Sequence, residues 1–148
     1  MGCDLHLFED SRVVLAATLI INDGKVLLLY RKDHQWFETP GGKVRLAECR
    51  DPSKPQVKDY ERCALRELKE ELGDIKVKPL EFFCRVEFSI PGRELVAYKF
   101  TTELISGEPK VQEPELFAKA QWLPIDKLKE FPLSPDLKLI CGKLSLID

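Results

Sequence analysis

Pro40-Gly41-Gly42-Lys43-Val44-Arg45-Leu46-Ala47-Glu48, and after an intervening loop Arg66-Glu67-Leu68-Lys69-Glu70-Glu71-Leu72-Gly73, is the stretch that decides how this chain folds. It reads as a glycine turn running into a helix with an unusual density of carboxylates. Asp59 is placed to cap that helix at its start, and Gly73 to stop it. At about 100° per residue, Tyr60, Ala64, Leu68 and Leu72 form one apolar stripe. Glu67, Glu70 and Glu71 share an adjoining arc with Arg66 beside them, while Lys69 lies on the far side. Like charges three and four residues apart destabilise a helix by roughly 0.2–0.5 kcal/mol per pair. Three acids beside a buried stripe therefore call for a counter-charge, and a hard divalent cation with oxygen ligands supplies one.

Taken alone, such a helix is an ordinary solvated face, with Arg62, Arg66 and Glu70 able to form a ladder of ion pairs. The combination says more. Gly42, Glu48 six residues on, and Arg66-Glu67-Leu68-Lys69-Glu70-Glu71-Leu72-Gly73 resemble the box of the Nudix (MutT-like) hydrolases. There are two departures. Seventeen residues, Cys49 to Leu65, separate Glu48 from Arg66. The surplus over the family pattern is assigned to an insertion, Cys49 to Lys58, whose two prolines mark it as loop; such insertions cost little closure entropy. Asp74 also stands where the pattern has an apolar residue, and Ile75 is expected to make that contact one position late.

The rest of the chain bounds the reading. Its 148 residues form one expected domain, 1–148, with 44% hydrophobic and 32% charged residues, the composition of a globular protein with a substantial core. A net charge of -2 argues against binding long nucleic acid. The five cysteines show no paired metal or redox spacing, and Cys63 and Cys141 fall in apolar patterns as core residues. No run approaches the ~20 apolar residues of a membrane helix, and no signal peptide is expected. A reduced, cytoplasmic setting is expected, with no membrane partner. The oligomeric state is left open.

Along the chain, Met1 to Ser11 is a polar lead-in whose Leu5, Leu7 and Phe8 make a short edge strand or a tether. Strands are expected over Val13 to Ile21 and Lys25 to Tyr30, joined by the hairpin signal Asn22-Asp23-Gly24. A short strand begins at Trp36-Phe37. A long strand from Ile75 to Ser89 turns at Pro91-Gly92 into Glu94 to Leu104, with Val86, Phe88, Ala97 and Phe100 marking the inward faces. After a turn at Ser106 to Pro109 and a polar segment, Ala120 to Leu123 is a last strand and Ile125 to Lys129 a helical turn. A final helix runs over 135–146, burying Leu137, Ile140, Cys141 and Leu144. The fold class is α/β: a mixed sheet between a box helix and a C-terminal helix, similar to the Nudix α/β/α sandwich.

The resemblance implies hydrolysis of a nucleoside diphosphate linked to another group, with Mg²⁺ (Mn²⁺ as substitute) as cofactor. Glu67, Glu70 and Glu71 are implied as metal ligands, with Glu67 also a candidate general base and Gly41 offering a carbonyl. Arg66 orients these carboxylates, and Glu48 pairs with Arg66 or lies just outside the ligands. Glu113 and Glu115 are either a further loop acid or solvated. Trp122 is read as a base-stacking or a core residue. Asp136 is read either as a purine-edge acceptor or as the cap of the last helix. A nucleoside triphosphate is the leading substrate class, split to monophosphate and pyrophosphate. ADP-ribose or a nucleotide sugar is second, and a non-catalytic nucleotide-sensing module is third.

Overall fold

The computed structural model describes residues 5–146; Cys3 and the rest of the first four residues of the lead-in lie outside them. The strands are β1 (Phe8–Glu9), β2 (Arg12–Asn22), β3 (Lys25–Arg31), β4 (Trp36–Glu38), β5 (Gly41–Lys43), β6 (Lys76–Val77), β7 (Glu81–Ile90), β8 (Arg93–Thr102), β9 (Leu104–Ser106) and β10 (Phe117–Pro124). The helices are α1 (Val57–Leu72) and α2 (Pro135–Leu144), with short 3₁₀ turns at Leu46–Glu48 and Ile125–Glu130.

One mixed sheet runs in the order β10-β3-β2-β8-β7, with β1 and β5 paired to β2 and β4 to β3. β2 and β8 are parallel from Val13↔Leu95 to Ile20↔Thr102, and the other pairs are antiparallel. The hairpin at Asp23-Gly24 has both central residues at positive φ, 52° and 74°, the turn that matches strand twist. Gly92, at φ 80°, supplies the left-handed residue after Pro91 that a type II turn requires.

Both faces of the sheet are covered, so alternate residues of one strand serve different cores. Val14, Ala16, Val96 and Phe100 pack with Tyr60, Cys63 and Ala64 of α1, and Ile20, Leu27 and Leu29 with Leu68 and Leu72. Leu19, Val26, Leu28 and Cys84 pack with Leu137, Ile140, Cys141 and Leu144 of α2. Ala97 and Phe100 therefore point to opposite faces: Phe100 enters the α1 core, while Ala97 lines a cavity on the α2 side. Ile75 does pack into the α1 core beside the Gly73 stop.

Three expectations change. α1 begins about one turn early, with Gln56 at its N-cap and Asp59 inside the first turn, where it accepts from Gln56 N–H at 2.8 Å and Arg50 N–H at 3.2 Å. The end of the insertion, Val57 and Lys58, is thus helical. The long strand from Ile75 breaks at Pro79, which has no ladder N–H to donate: β6 pairs with β9 and β7 starts at Glu81. The last strand starts at Phe117, three residues early, because Phe117 is buried and pairs with Arg31. Among the described residues no helix is long and apolar enough to cross a membrane.

Candidate active site

The box closes on itself because Gly41 and Gly42 lack side chains. A Cβ on Gly41 would lie 2.4 Å from the Ala16 carbonyl oxygen, since β5 presses against β2 there; one on Gly42 would lie 2.4 Å from Glu67 Oε2. Bare backbone thus lets the α1 carboxylates reach the strand. Gly41 N–H donates to Glu71 Oε1 at 3.0 Å. Its carbonyl, the expected metal contact, belongs to β5.

Arg66 is held on every side. Its Nε donates to Glu48 Oε2 at 2.6 Å and its Nη2 to Glu48 Oε1 at 3.0 Å, a fork on one carboxylate. Nη1 reaches Glu67 at 2.9 Å and Glu70 at 3.2 Å, and Nη2 also meets the Lys43 carbonyl at 3.2 Å. Such bidentate pairing fixes orientation as well as charge. The bonds to Glu48 outweigh desolvation and push the Arg66 guanidinium up, so it stays charged. Burial pushes Glu48 upward, but Arg66 and the Arg45 N–H outweigh it and hold the carboxyl below its ordinary value. The insertion leaves this contact intact.

Glu71 is the strained member. Burial first, then the charge of Glu67 beside it, push its carboxyl far above the ordinary range, with the Gly41 N–H working the other way. Glu113 joins this group. Backbone bonds from Lys110 to Leu72 and from Gln112 to Glu71 lash its loop to the end of α1. Burial, then Glu67, Glu115 and Glu70, push the Glu113 carboxyl up.

On the opposite face a cavity of about 470 Å³ reaches from Gly41 and Gly42 to the start of α2. Its walls include Trp36, stacked on His34 at 4.3 Å, Phe88 and Ile90 of β7, and Arg93. Its floor is polar. Lys99, 1% exposed, donates from Nζ to Thr39 Oγ1 at 2.6 Å and to Asp136 Oδ2. Burial raises and Lys99 more than offsets the pKa of Asp136, which sits below its ordinary value. Glu38 lies nearby, pushed up by burial despite bonds from Trp36 Nε1 at 2.9 Å and Arg31.

The structure thus brings together Gly41, Glu48, Arg66, Glu67, Glu70, Glu71 and Glu113, and sets Asp136 in the neighbouring cavity. Ser134 rather than Asp136 holds the N-cap position of α2, without a cap bond from its side chain; the Asp136 carboxylate lies in the first helical turn, where Lys99 and the Asp136 N–H both hold it. Trp122 is not at the cavity. On β10 it pairs with Leu27 of β3 and packs into the core under α1, as strand alternation from Leu123, which faces the α2 core, requires. Lys99, Thr39 and Glu38 are additions. For Lys99 a signal existed, since it shares the parity of Leu95 and Ala97 in an apolar strand and must face inward with them.

Residues 11–140 match the model of the NUDIX domain, and Gly41-Gly42, the forked Glu48–Arg66 pair and the acids of α1 lie within that span. The chain belongs to the Nudix family. Its fold is similar to that of a MutT Nudix hydrolase from Burkholderia pseudomallei (28% identity over 90% of this chain and 98% of that one, TM-score 0.73). It is similar as well to the MutT protein of Methanosarcina mazei (20%, 95% and 97%, TM-score 0.71) and to a UDP-X diphosphatase (20%, 95% and 63%, TM-score 0.66). No curated protein matches the chain. Nudix proteins of this kind are hydrolases of pyrophosphate bonds in nucleoside diphosphate-linked substrates, and they generally use divalent metal ions.

The Nudix acids fit such an ion in chemistry. They are hard oxygen donors, and Glu71 is buried against Glu67 with a raised pKa, a repulsion that a cation relieves. They are not converged: among the described residues no three acid, histidine or cysteine side chains are grouped to hold an ion. Arg66 sits between Glu67 and Glu70.

Proposed function

We propose that this Nudix hydrolase splits nucleoside triphosphates to monophosphate and pyrophosphate with Mg²⁺, Mn²⁺ substituting. One observation carries the substrate class. The 470 Å³ cavity has the size of a small-molecule site, ends on the polar pair Lys99–Asp136, and opens at Gly41–Gly42 beside the acids. A base and ribose fill it with the phosphates directed at the box.

Glu67, Glu70 and Glu71 are the proposed metal ligands, joined by the Gly41 carbonyl. When bound, the ion neutralises phosphate oxygens and lowers the pKa of a coordinated water. Arg66 holds Glu67 and Glu70 in place and is itself held by Glu48. Glu67 or Glu113 accepts the proton of the attacking water; Glu113 is near enough to the box acids for its pKa to respond to them. The unpaired state of Cys49, Cys63, Cys84 and Cys141 supports a reducing, cytoplasmic setting.

A nucleotide sugar or ADP-ribose is the second reading, supported by likeness of fold to a protein described as a UDP-X diphosphatase. Incubating a nucleotide panel with Mg²⁺ and identifying products decides. Pyrophosphate from triphosphates is expected; turnover confined to nucleotide sugars selects the second reading, and binding without turnover selects a sensing module.

A further inference from the structure

The insertion builds a feature that the box itself does not call for. Beside the start of α1 lies a second cavity of about 390 Å³, lined by Arg50, Gln56, Val57, Lys58, Asp59 and Arg62. Three of these six side chains are cationic and exposed. Arg12, Arg31, Arg66 and Arg85 each have a carboxylate partner. Among the described residues, the Arg50 guanidinium and the Lys58 ammonium have neither an ion pair nor a hydrogen bond. The one acid on the wall, Asp59, is 1% exposed and already engaged: it accepts from Arg50 N–H, Gln56 N–H and Arg62 Nη1. The Asp59 N–H donates to the Gln56 carbonyl at 2.9 Å, so the cavity owes its charge to side chains and not to the helix end.

This cavity also lies in line with the box. β5 and the turn after it run alongside α1 in the opposite direction, so their contacts step down the helix in order. Gly41 N–H meets Glu71, Gly42 packs on Glu67, the Lys43 carbonyl meets Arg66, and the backbone carbonyl of Glu48 accepts from Arg62 Nη1 at 3.2 Å. The nucleoside-sized cavity opens at the first of these contacts and the cationic one at the last. Arg62 precedes Glu67 by five residues, about 7.5 Å along the helix axis. We propose that Arg50, Lys58 and Arg62 form a second phosphate site, which takes the terminal phosphate of the substrate's polyphosphate chain at the end remote from the nucleoside. This site rests on the triphosphate reading given above. The terminal phosphate becomes the far half of the pyrophosphate product, so the same cations hold that product. Guanidinium groups grip phosphate oxygens in a fork and the ammonium adds a point charge. A monophosphate has no group that reaches them.

Calorimetric titration with inorganic pyrophosphate and with GMP, both in Mg²⁺, tests this without turnover. Arg50→Gln with Lys58→Gln removes the two unpaired cations and leaves Arg62 on Glu48 and Asp59. Both residues are exposed, and the melting temperature should hold. Loss of their charge-assisted bonds should weaken pyrophosphate roughly 10-fold, while GMP stays within about twofold. Lys54→Gln is the control, because Lys54 belongs to the insertion but does not line the cavity. It removes a nearby charge that salt screens, and pyrophosphate affinity should stay within about twofold. The α,β-methylene analogue of GTP should weaken with pyrophosphate in the double variant and compete with it for the wild-type protein. The proposal is overturned if the double variant binds pyrophosphate as wild type does, or if GMP weakens equally. It is overturned as well if Lys54→Gln costs as much, or if pyrophosphate and the analogue bind together. Absence of triphosphate hydrolysis, with analogue binding still dependent on Arg50 and Lys58, would remove the hydrolytic reading and leave the phosphate site standing. Hydrolysis with pyrophosphate affinity unchanged in the double variant would do the reverse.

Discussion

Arg66 forks onto Glu48 with bonds of 2.6 and 3.0 Å, although seventeen residues separate them and ten of these are an insertion. The pair is what keeps Nη1 of Arg66 on Glu67 and Glu70. Glu48→Gln retains an acceptor but loses the charge. Groups that orient metal ligands typically cost 10–100-fold in activity or metal affinity, and a loss of that order in kcat/KM is expected with the protein still folded. The acid dependence follows from the lowered pKa of Glu48. Its contribution to stability is full above the unfolded carboxylate value near 4.3 and disappears as pH falls through the folded one. Melting curves of wild type and Glu48→Gln should therefore differ at neutral pH and converge in acid. Parallel curves at all pH values would show that the charge of Glu48 is immaterial.

The strained Glu71 makes a prediction about metal. Its folded pKa is raised by burial and by Glu67, so the unfolded chain ionises first. Metal-free stability from this group is present below about pH 4.3 and is lost as pH rises through the neutral range. A cation that binds the ionised acid displaces a proton and stabilises the fold by linkage. Millimolar Mg²⁺ should raise the melting temperature more at about pH 8.5 than at about pH 6. Glu71→Gln should melt higher than wild type without metal, respond less to Mg²⁺ and lose most turnover. A metal response independent of pH and unchanged in the variant would remove Glu71 from the ligand set.

The insertion is pinned at both ends by one carboxylate. Asp59 Oδ1 accepts from Arg50 N–H and Oδ2 from Gln56 N–H, drawing the two ends of the loop together above α1. Cys49 is buried, and Gln56 caps the helix. Removing Cys49 to Lys58 would therefore take away a core residue and a helix start. Removing Asp51 to Pro55 would not, and shortening a loop costs little entropy. The short deletion should fold with near-native melting temperature and kcat, whereas Asp59→Ala should lose about 1–2 kcal/mol as a helix cap does. Collapse of the short deletion in denaturant titrations would show that the loop body packs as part of the domain.

How far the sequence could be read follows the range of the interactions. α1 was legible because its stripe and its acids repeat locally. The Asn22 and Pro91 turns were legible because φ preference belongs to single residues. Start points were less so: Gln56 caps α1 only because Asp59 reaches back to it, and Pro79 breaks a run that looks continuous in hydropathy. The box acids came with a motif. The cavity floor did not, since Thr39, Lys99 and Asp136 are brought together across β4, β8 and α2 by the parallel pairing of β2 with β8. Only the purine-edge reading of Asp136 and the inward parity of Lys99 hinted at it. Trp122 was ambiguous because a tryptophan's size suits a core and a stacking site equally, and its parity on β10 is what settles its place.

The last prediction concerns the proton acceptor. The loop from Lys110 to Gln112 is tied by backbone bonds to Leu72 and Glu71, so Glu113 is delivered to the box whatever its own side chain. Its carboxyl is raised by burial and by Glu67, Glu115 and Glu70, the condition that suits a general base working near neutrality. Glu113→Gln should leave the melting temperature and KM close to wild type. It should lower kcat by roughly 10²-fold, within the range for a lost acid–base group. A base must be ionised to act, so the acid limb of the wild-type kcat profile should lie above the ordinary carboxylate range and vanish in the variant. Glu115→Gln, which removes only a neighbour's charge, should let that limb fall toward the ordinary value while kcat at neutral pH changes less than about threefold. If Glu67 is the base instead, Glu113→Gln keeps both the limb and the rate, and Glu67→Gln loses them.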